Sequence, residues 1–230
     1  VGITDVNAAS TTKAGSITDV TVSSGAAVTV NSGALETLTA SGTMTTLGVT
    51  TGALTVPAVN DLTLNLSSLV TSGTVTIDAD VKTLDIATTK VTNALTGLEQ
   101  ANTLNDLDAS GATAVNISGD GKLTLSAISN APATTSYTST NTGGVTISAA
   151  LGTGMNFTGG SGADSISLGA STKAITTGAG DDTVTLSGAA LGTGGSVDAG
   201  DGTADTLVMT AANAVTASGA GTFETTISGF

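Results

Sequence analysis

Apolar residues recur at every second position in short runs along most of the chain. Leu62, Leu64 and Leu66 share one face of an extended segment, and so do Val75 and Ile77, Leu84 and Ile86, Val115 and Ile117, and Leu123 and Leu125. This alternation predicts half-buried strands. The pairs at 75/77 and 84/86 lie 9 residues apart, and those at 115/117 and 123/125 lie 8 apart. Such a step is too short for a strand–helix–strand unit and suits the strand–turn–strand step of a solenoid. Before residue 56 the runs are shorter, at 17–22, 27–30 and 35–38, and Ser-Gly or Asn-Ser-Gly turns close them. Pro57 predicts a turn or an edge. Two stretches break the rhythm. Residues 91–104 place Leu95, Leu98 and Glu99 at near-helical spacing and predict a helical turn; the polar run 131–144 predicts a loop or a join between subdomains.

Composition sharpens this picture. Aromatic residues are 2% and charged residues 10%, so no ordinary aromatic core is available, yet 39% hydrophobic content is too high for a disordered linker. Thr and Val favour pleated backbone and argue against helices. Together these predict an all-β fold, a parallel β-helix or β-roll of short strands with thin stacked cores. Its expected parts are an irregular solenoid over 1–144 and a regular roll with closing strands over 145–230. The chain begins at Val1 and stops in mid-pattern at Phe230, which reads as a segment of something longer.

Charge and residue usage exclude several functions. The net charge is −13, from 18 acidic residues against 5 lysines and no arginine, which is the wrong sign for binding nucleic acid or anionic membranes. Lys13, Lys82, Lys90, Lys122 and Lys173 form no cluster. Without Cys or His there is no disulfide, zinc or haem site and no thiol chemistry. No run of 18 apolar residues predicts insertion into a membrane.

Residues 145–210 carry the chemistry. Gly159-Gly160-Ser161-Gly162-Ala163-Asp164-Ser165-Ile166-Ser167 fits the nonapeptide G-G-x-G-x-D-x-U-x, where U is a large apolar residue. Thr177-Gly178-Ala179-Gly180-Asp181-Asp182-Thr183-Val184-Thr185 repeats it, with Thr177 in place of the first Gly. A third copy, Gly200 and Gly202 followed by Asp205, matches if Thr203 is a one-residue insertion, and residues 189–196 are expected to bulge. Asp164 and Asp182 are 18 residues apart, so the motifs stack if two nonapeptides make one coil. At a strand spacing of about 4.8 Å, two such carboxylates repel by roughly 3 kcal/mol at an effective dielectric near 20. Glycine turns with positive φ and inward carbonyls, plus one carboxylate per coil, offer the oxygen set that Ca²⁺ takes.

The expected ligand loops are therefore Gly159, Gly160, Gly162 and Asp164 against Thr177, Gly178, Gly180 and Asp182, and the latter against Gly200, Gly202 and Asp205. Asp181, Asp198 and Asp201 lie beside them. Elsewhere, Asp78 and Asp80 share a face if they lie on a strand, as do Asp106 and Asp108, and Gly119-Asp120-Gly121 resembles an abbreviated turn. Each of these is open between metal ligation and solvated turn or edge carboxylates.

The three motif copies resemble RTX repeats, the calcium-binding β-roll motifs of proteins exported by type I secretion. Residues 152–209 as a whole, with 60–66 and 113–120 upstream, are similar to RTX-type bacterial surface-layer (S-layer) proteins. The resemblance implies a secreted, extracellular structural protein at the cell surface. It also implies calcium-dependent self-association into a two-dimensional lattice and anchoring to surface polysaccharide through a domain outside this segment. The missing Gly at Thr177 and the insertion at Thr203 depart from the pattern and bear on the second site.

Two alternatives belong to other classes. One is an RTX adhesin stalk, or a calcium-binding secretion or folding module of another type I-secreted protein. The other is a polysaccharide lyase on a parallel β-helix. With no Arg, His or Trp, and Tyr137 as the single Tyr, the chain lacks the usual bases and sugar-stacking platforms, and the reading is of a protein that is not an enzyme.

Overall fold

The computed structural model describes residues 1–53, 61–221 and 223–230; Pro57 lies outside them. Nearly all of it is parallel β-structure wound into a solenoid of about 8 turns. Strands are stacked by pairing each with its counterpart one coil away, so side chains form ladders along the axis. The longest inward ladder runs Leu62, Leu84, Val115, Tyr137, Phe157, Ile175, Val197 and Ile227. A second face carries Leu104, Leu125, Ile147, Ile166, Val184 and Leu207. All of these but Leu207 and Ile227 are buried. Each step of a ladder puts one inward side chain over another at strand spacing, which makes a core with few aromatics workable.

A third face exists only in the first part of the chain. It runs from Val28 through Leu47, Val75 and Leu107 to Ile128. Beyond Ile128–Asn130 each coil has two strands, and the prism flattens into a roll. The hydrogen-bonded ladders run unbroken across residue 144: Leu123 pairs with Val145, and Tyr137 with Phe157.

Several expectations change. Asn31-Ser32-Gly33 ends a strand as expected, but Ser24-Gly25 and Ser41-Gly42 do not. Asp19–Asn31 and Thr37–Thr50 are continuous strands that bend at a corner, where Ser24 (φ 52°) and Gly42 (φ 77°) stack with Ser68 (φ 51°) of Asp61–Thr71. A single left-handed residue turns the chain without breaking the ladder. Residues 91–100 form an antiparallel hairpin, Val91–Thr92 with Glu99–Gln100, rather than a helical turn. Only one i→i+4 bond forms there, from Gly97 N to Asn93 O, and Leu95 is 97% exposed, so the near-helical spacing had no core to face. The run 131–144 is not a separating loop, because Ser136–Ser139 is a full member of the long ladder and Tyr137 is buried.

Helices do occur, at Ala211–Ser218 and Phe223–Thr226. The first is Ala-rich, is capped by Thr210 Oγ1 accepting from Asn213 N at 3.2 Å, and is pinned by Asn213 Nδ2 donating to Ser187 O at 3.1 Å. Local propensity overrides the β-branched bias of the chain there. Among the described residues, no helix is long and apolar enough to cross a membrane.

Candidate metal centre

The Gly-rich loops occupy one corner of the solenoid, stacked above each other. Ser165 pairs with Thr183 and Ile166 with Val184, so the 18-residue offset brings the first two motifs into register. Thr183 pairs with Thr206, so the third joins them despite Thr203. The insertion is absorbed around Asp181, whose Oδ1 accepts from Thr203 N (3.1 Å), Thr203 Oγ1 (3.0 Å) and Ala204 N (3.1 Å). Those bonds hold the Asp181 carboxyl below its ordinary range, the Thr203 N–H contributing most. The expected bulge over 189–196 is present as the loop leading from Leu186 to Ser196.

The three motif aspartates form a chain of their own. Asp164 N donates to Asp182 Oδ1 at 2.7 Å, and Asp182 N donates to Asp205 Oδ1 at 2.8 Å. At the upstream end Val145 N donates to Asp164 Oδ1 at 2.7 Å. Each carboxylate thus spends one oxygen on the backbone of the preceding coil. The other oxygens, Asp164 Oδ2 and Asp182 Oδ2, are buried and have no hydrogen-bond partner. The residues are 2% and 0% exposed. Burial is the main reason that the Asp164 carboxyl is pushed up to about 7, reinforced by the Asp182 charge and opposed by the N–H of Val145; the nearby Gly160 N–H falls short of a bond to the orphaned oxygen. Burial raises Asp182 as well, with Asp205 and Asp181 adding to the rise and the Asp164 N–H opposing it. Thr177 lies beside Asp182, but its hydroxyl donates to Ala199 O at 2.9 Å.

The glycines serve two different needs. Gly178 (φ 99°), Gly180 (φ 118°) and Gly200 (φ 83°) have the expected left-handed backbone. Gly159, Gly160, Gly162 and Gly202 do not; they are small because a Cβ would strike the loop stacked beside them or the Asp carboxylate of their own loop. Close stacking, rather than turn shape, is what demands glycine at those four positions.

A buried carboxylate oxygen without a donor is costly unless protonated or met by a cation. Ca²⁺ takes six to eight oxygens in flexible geometry, and the two orphaned oxygens sit between loops whose carbonyls each keep a second lone pair. The donor set therefore fits a hard cation held by Asp164 and Asp182 with carbonyls of the loops 159–162 and 177–180. It fits the second site less fully, since Asp205 is only half-buried and Thr177 already donates to one lone pair of the Ala199 carbonyl. Among the described residues no three acidic side chains converge, so backbone oxygen has to supply most ligands.

Asp78, Asp80, Asp106, Asp120 and Asp198 accept hydrogen bonds from neighbouring groups, and Asp106 Oδ1 is in addition buried without a partner. Asp78 and Asp80 follow the strand Thr74–Ile77 instead of lying on it: Asp78 accepts from Thr51 N (2.9 Å) and Asp80 N (3.0 Å), and Asp80 from Thr51 Oγ1 (3.1 Å). Asp106 and Asp108 do share the outer face of a strand, where Asp106 accepts from Thr74 Oγ1 at 3.1 Å. Asp120 accepts from Lys90 N at 2.8 Å, and Asp198 from Gly200 N at 3.2 Å and Ser228 Oγ at 3.3 Å. Asp201 contributes backbone, its N–H bonding Gly178 O at 2.7 Å.

Sequence reasoning missed one member of this corner. Asn141 is fully buried one coil before Gly160, at the head of the same stack. Its signal was the run Asn141-Thr142-Gly143-Gly144, a Gly-rich turn with no Asp. No protein-family model and no curated protein matches the chain.

Proposed function

We propose that this chain is a calcium-clamped stretch of a secreted structural solenoid of the surface-layer type, in which Ca²⁺ between stacked loops drives folding and the folded coils associate side to side. The observation that carries the reading is the aspartate ladder, with its two buried, unpartnered oxygens. In a metal-free protein burial raises both carboxyls and leaves those oxygens without a donor, whereas a cation satisfies both and removes the repulsion between coils. Extracellular calcium modules bind in the range of about 10⁻⁴–10⁻³ M. A chain of this kind stays loose where calcium is scarce and locks after export. The parallel solenoid of about 8 turns is compatible with the structural part of the reading.

The test is circular dichroism and thermal melting of the 230-residue chain with calcium titrated against EGTA, followed by electron microscopy of concentrated protein in calcium. The expected result is a higher melting temperature with millimolar calcium and ordered arrays that dissolve in EGTA. An unchanged melt in EGTA would sink the metal reading. A calcium-stabilised protein that forms no ordered array at any concentration would leave the clamp and remove the lattice.

A further inference from the structure

The buried Asn141 at the head of the glycine stack is surrounded by oxygen. Its Nδ2 donates to Thr88 Oγ1 at 2.8 Å, Gly121 O at 3.0 Å and Ser118 O at 3.3 Å. Its Oδ1 accepts from Gly143 N and Gly144 N, both at 2.7 Å. Thr88 Oγ1 in turn donates to Gly121 O at 2.6 Å. Oxygens from two successive coils therefore converge on one amide group that carries partial positive charge.

This is the same corner as the candidate metal centre. Gly160 packs on the Asn141 backbone, Gly178 on Gly160, and Gly200 on Gly178. Downstream of Asn141 the corner has carboxylate oxygens with no donor; at Asn141 every side-chain atom is satisfied. The contrast is chemical. An amide brings its own donors to a nest of carbonyls, whereas a carboxylate brings only further lone pairs and needs a cation.

We propose that the cage of Thr88 Oγ1, Ser118 O and Gly121 O is a cation position filled by the chain's own amide. Asn141 Nδ2 stands where a divalent ion stands between the later loops, and it ends the calcium dependence of the solenoid at that coil. At this corner the coils before Asn141 hold together without metal, while those from Val145 onward need it; the orphaned Asp106 Oδ1 lies on a different face. This inference rests on the calcium reading of the aspartate ladder and adds a boundary to it.

Two measurements test it on the full 230-residue chain. The first is hydrogen–deuterium exchange of the wild type in calcium and in EGTA. Peptides within 145–210 are expected to lose protection by roughly tenfold or more in EGTA, and peptides within 61–130 to be unchanged. The second is calcium stoichiometry by native mass spectrometry for the wild type and Asn141→Asp. The variant is expected to bind one additional ion, and its peptides within 114–125 to become sensitive to EGTA. Folding of Asn141→Asp only in calcium supports the proposal equally. A calcium-responsive wild type whose 61–130 peptides also lose protection in EGTA would overturn the boundary. A folded Asn141→Asp with wild-type stoichiometry would overturn the amide-for-cation exchange while leaving the ladder intact. A wild type indifferent to calcium would remove the ladder reading and this inference together.

Discussion

Asp164 and Asp182 are joined across one coil by a 2.7 Å hydrogen bond from the backbone N–H of the first to Oδ1 of the second, and the remaining oxygen of each is buried without a donor. The pair is therefore organised before any ion arrives. The backbone positions the carboxylates, and their unpaired oxygens are the chemical demand that a cation meets.

Asp182 is the centre of that arrangement, linked to Asp164 on one side and to Asp205 on the other. Asp182→Ala should lose more calcium and more stability than Asp164→Ala, because it removes a ligand shared by two loop pairs. Calcium titrations followed by melting would check the order. Asp182→Asn should do the reverse in EGTA, gaining about 1–3 kcal/mol by relieving a buried, unpaired charge, and lose that advantage in calcium. Equal calcium loss in Asp164→Ala and Asp182→Ala contradicts the shared-ligand arrangement.

Acidity offers an independent check on the metal-free state. Burial pushes the folded Asp164 carboxyl up to about 7 from an ordinary 3.8, so between those values the folded chain binds more protons than the unfolded one. Stability in EGTA should then be fully present below pH 3.8 as far as this group is concerned, and fall as pH rises through 7. Asp5 and Asp181, held below their ordinary range by backbone N–H groups, act in the opposite sense, with stability lost as pH falls below 3.8. The window from pH 5 to 8 therefore isolates the ladder. Melting temperature should drop across it in EGTA and rise across it in millimolar calcium, since metal competes with protons for the same oxygens.

Thr177 accounts for the irregular second motif. Its hydroxyl donates to Ala199 O in a buried setting, so Thr177→Val leaves that carbonyl without its donor while keeping the side-chain shape. The expected cost is about 1–3 kcal/mol in EGTA, smaller in calcium if the freed carbonyl joins the ion between the second and third loops. A cost that is the same with and without calcium places Ala199 O outside the metal shell.

Tyr137 tests the core rather than the corner. Its hydroxyl is buried with no partner among the described residues, and burial pushes its pKa up to about 12. Tyr137→Phe matches Phe157, the next rung of the ladder, and should be neutral or stabilising by about 1 kcal/mol. A clear loss of stability by denaturant titration reveals a bond that the geometry does not show.

By itself the sequence determined what is local. Period-two alternation marked the inward residues of the ladders, since successive side chains on a strand must point to opposite faces. The 18-residue spacing of Asp164 and Asp182 set their register, because two equal half-coils return the chain to the same place. The tertiary structure decided what depends on coils of unequal length. It kept Asp205 in line by wrapping Thr203 around Asp181, set Asp78 and Asp80 in a turn, and brought Asn141 to Thr88 across 53 residues. A corner's neighbours lie one strand spacing away in space but a variable distance away along the chain. Only winding the coils reveals which oxygens meet.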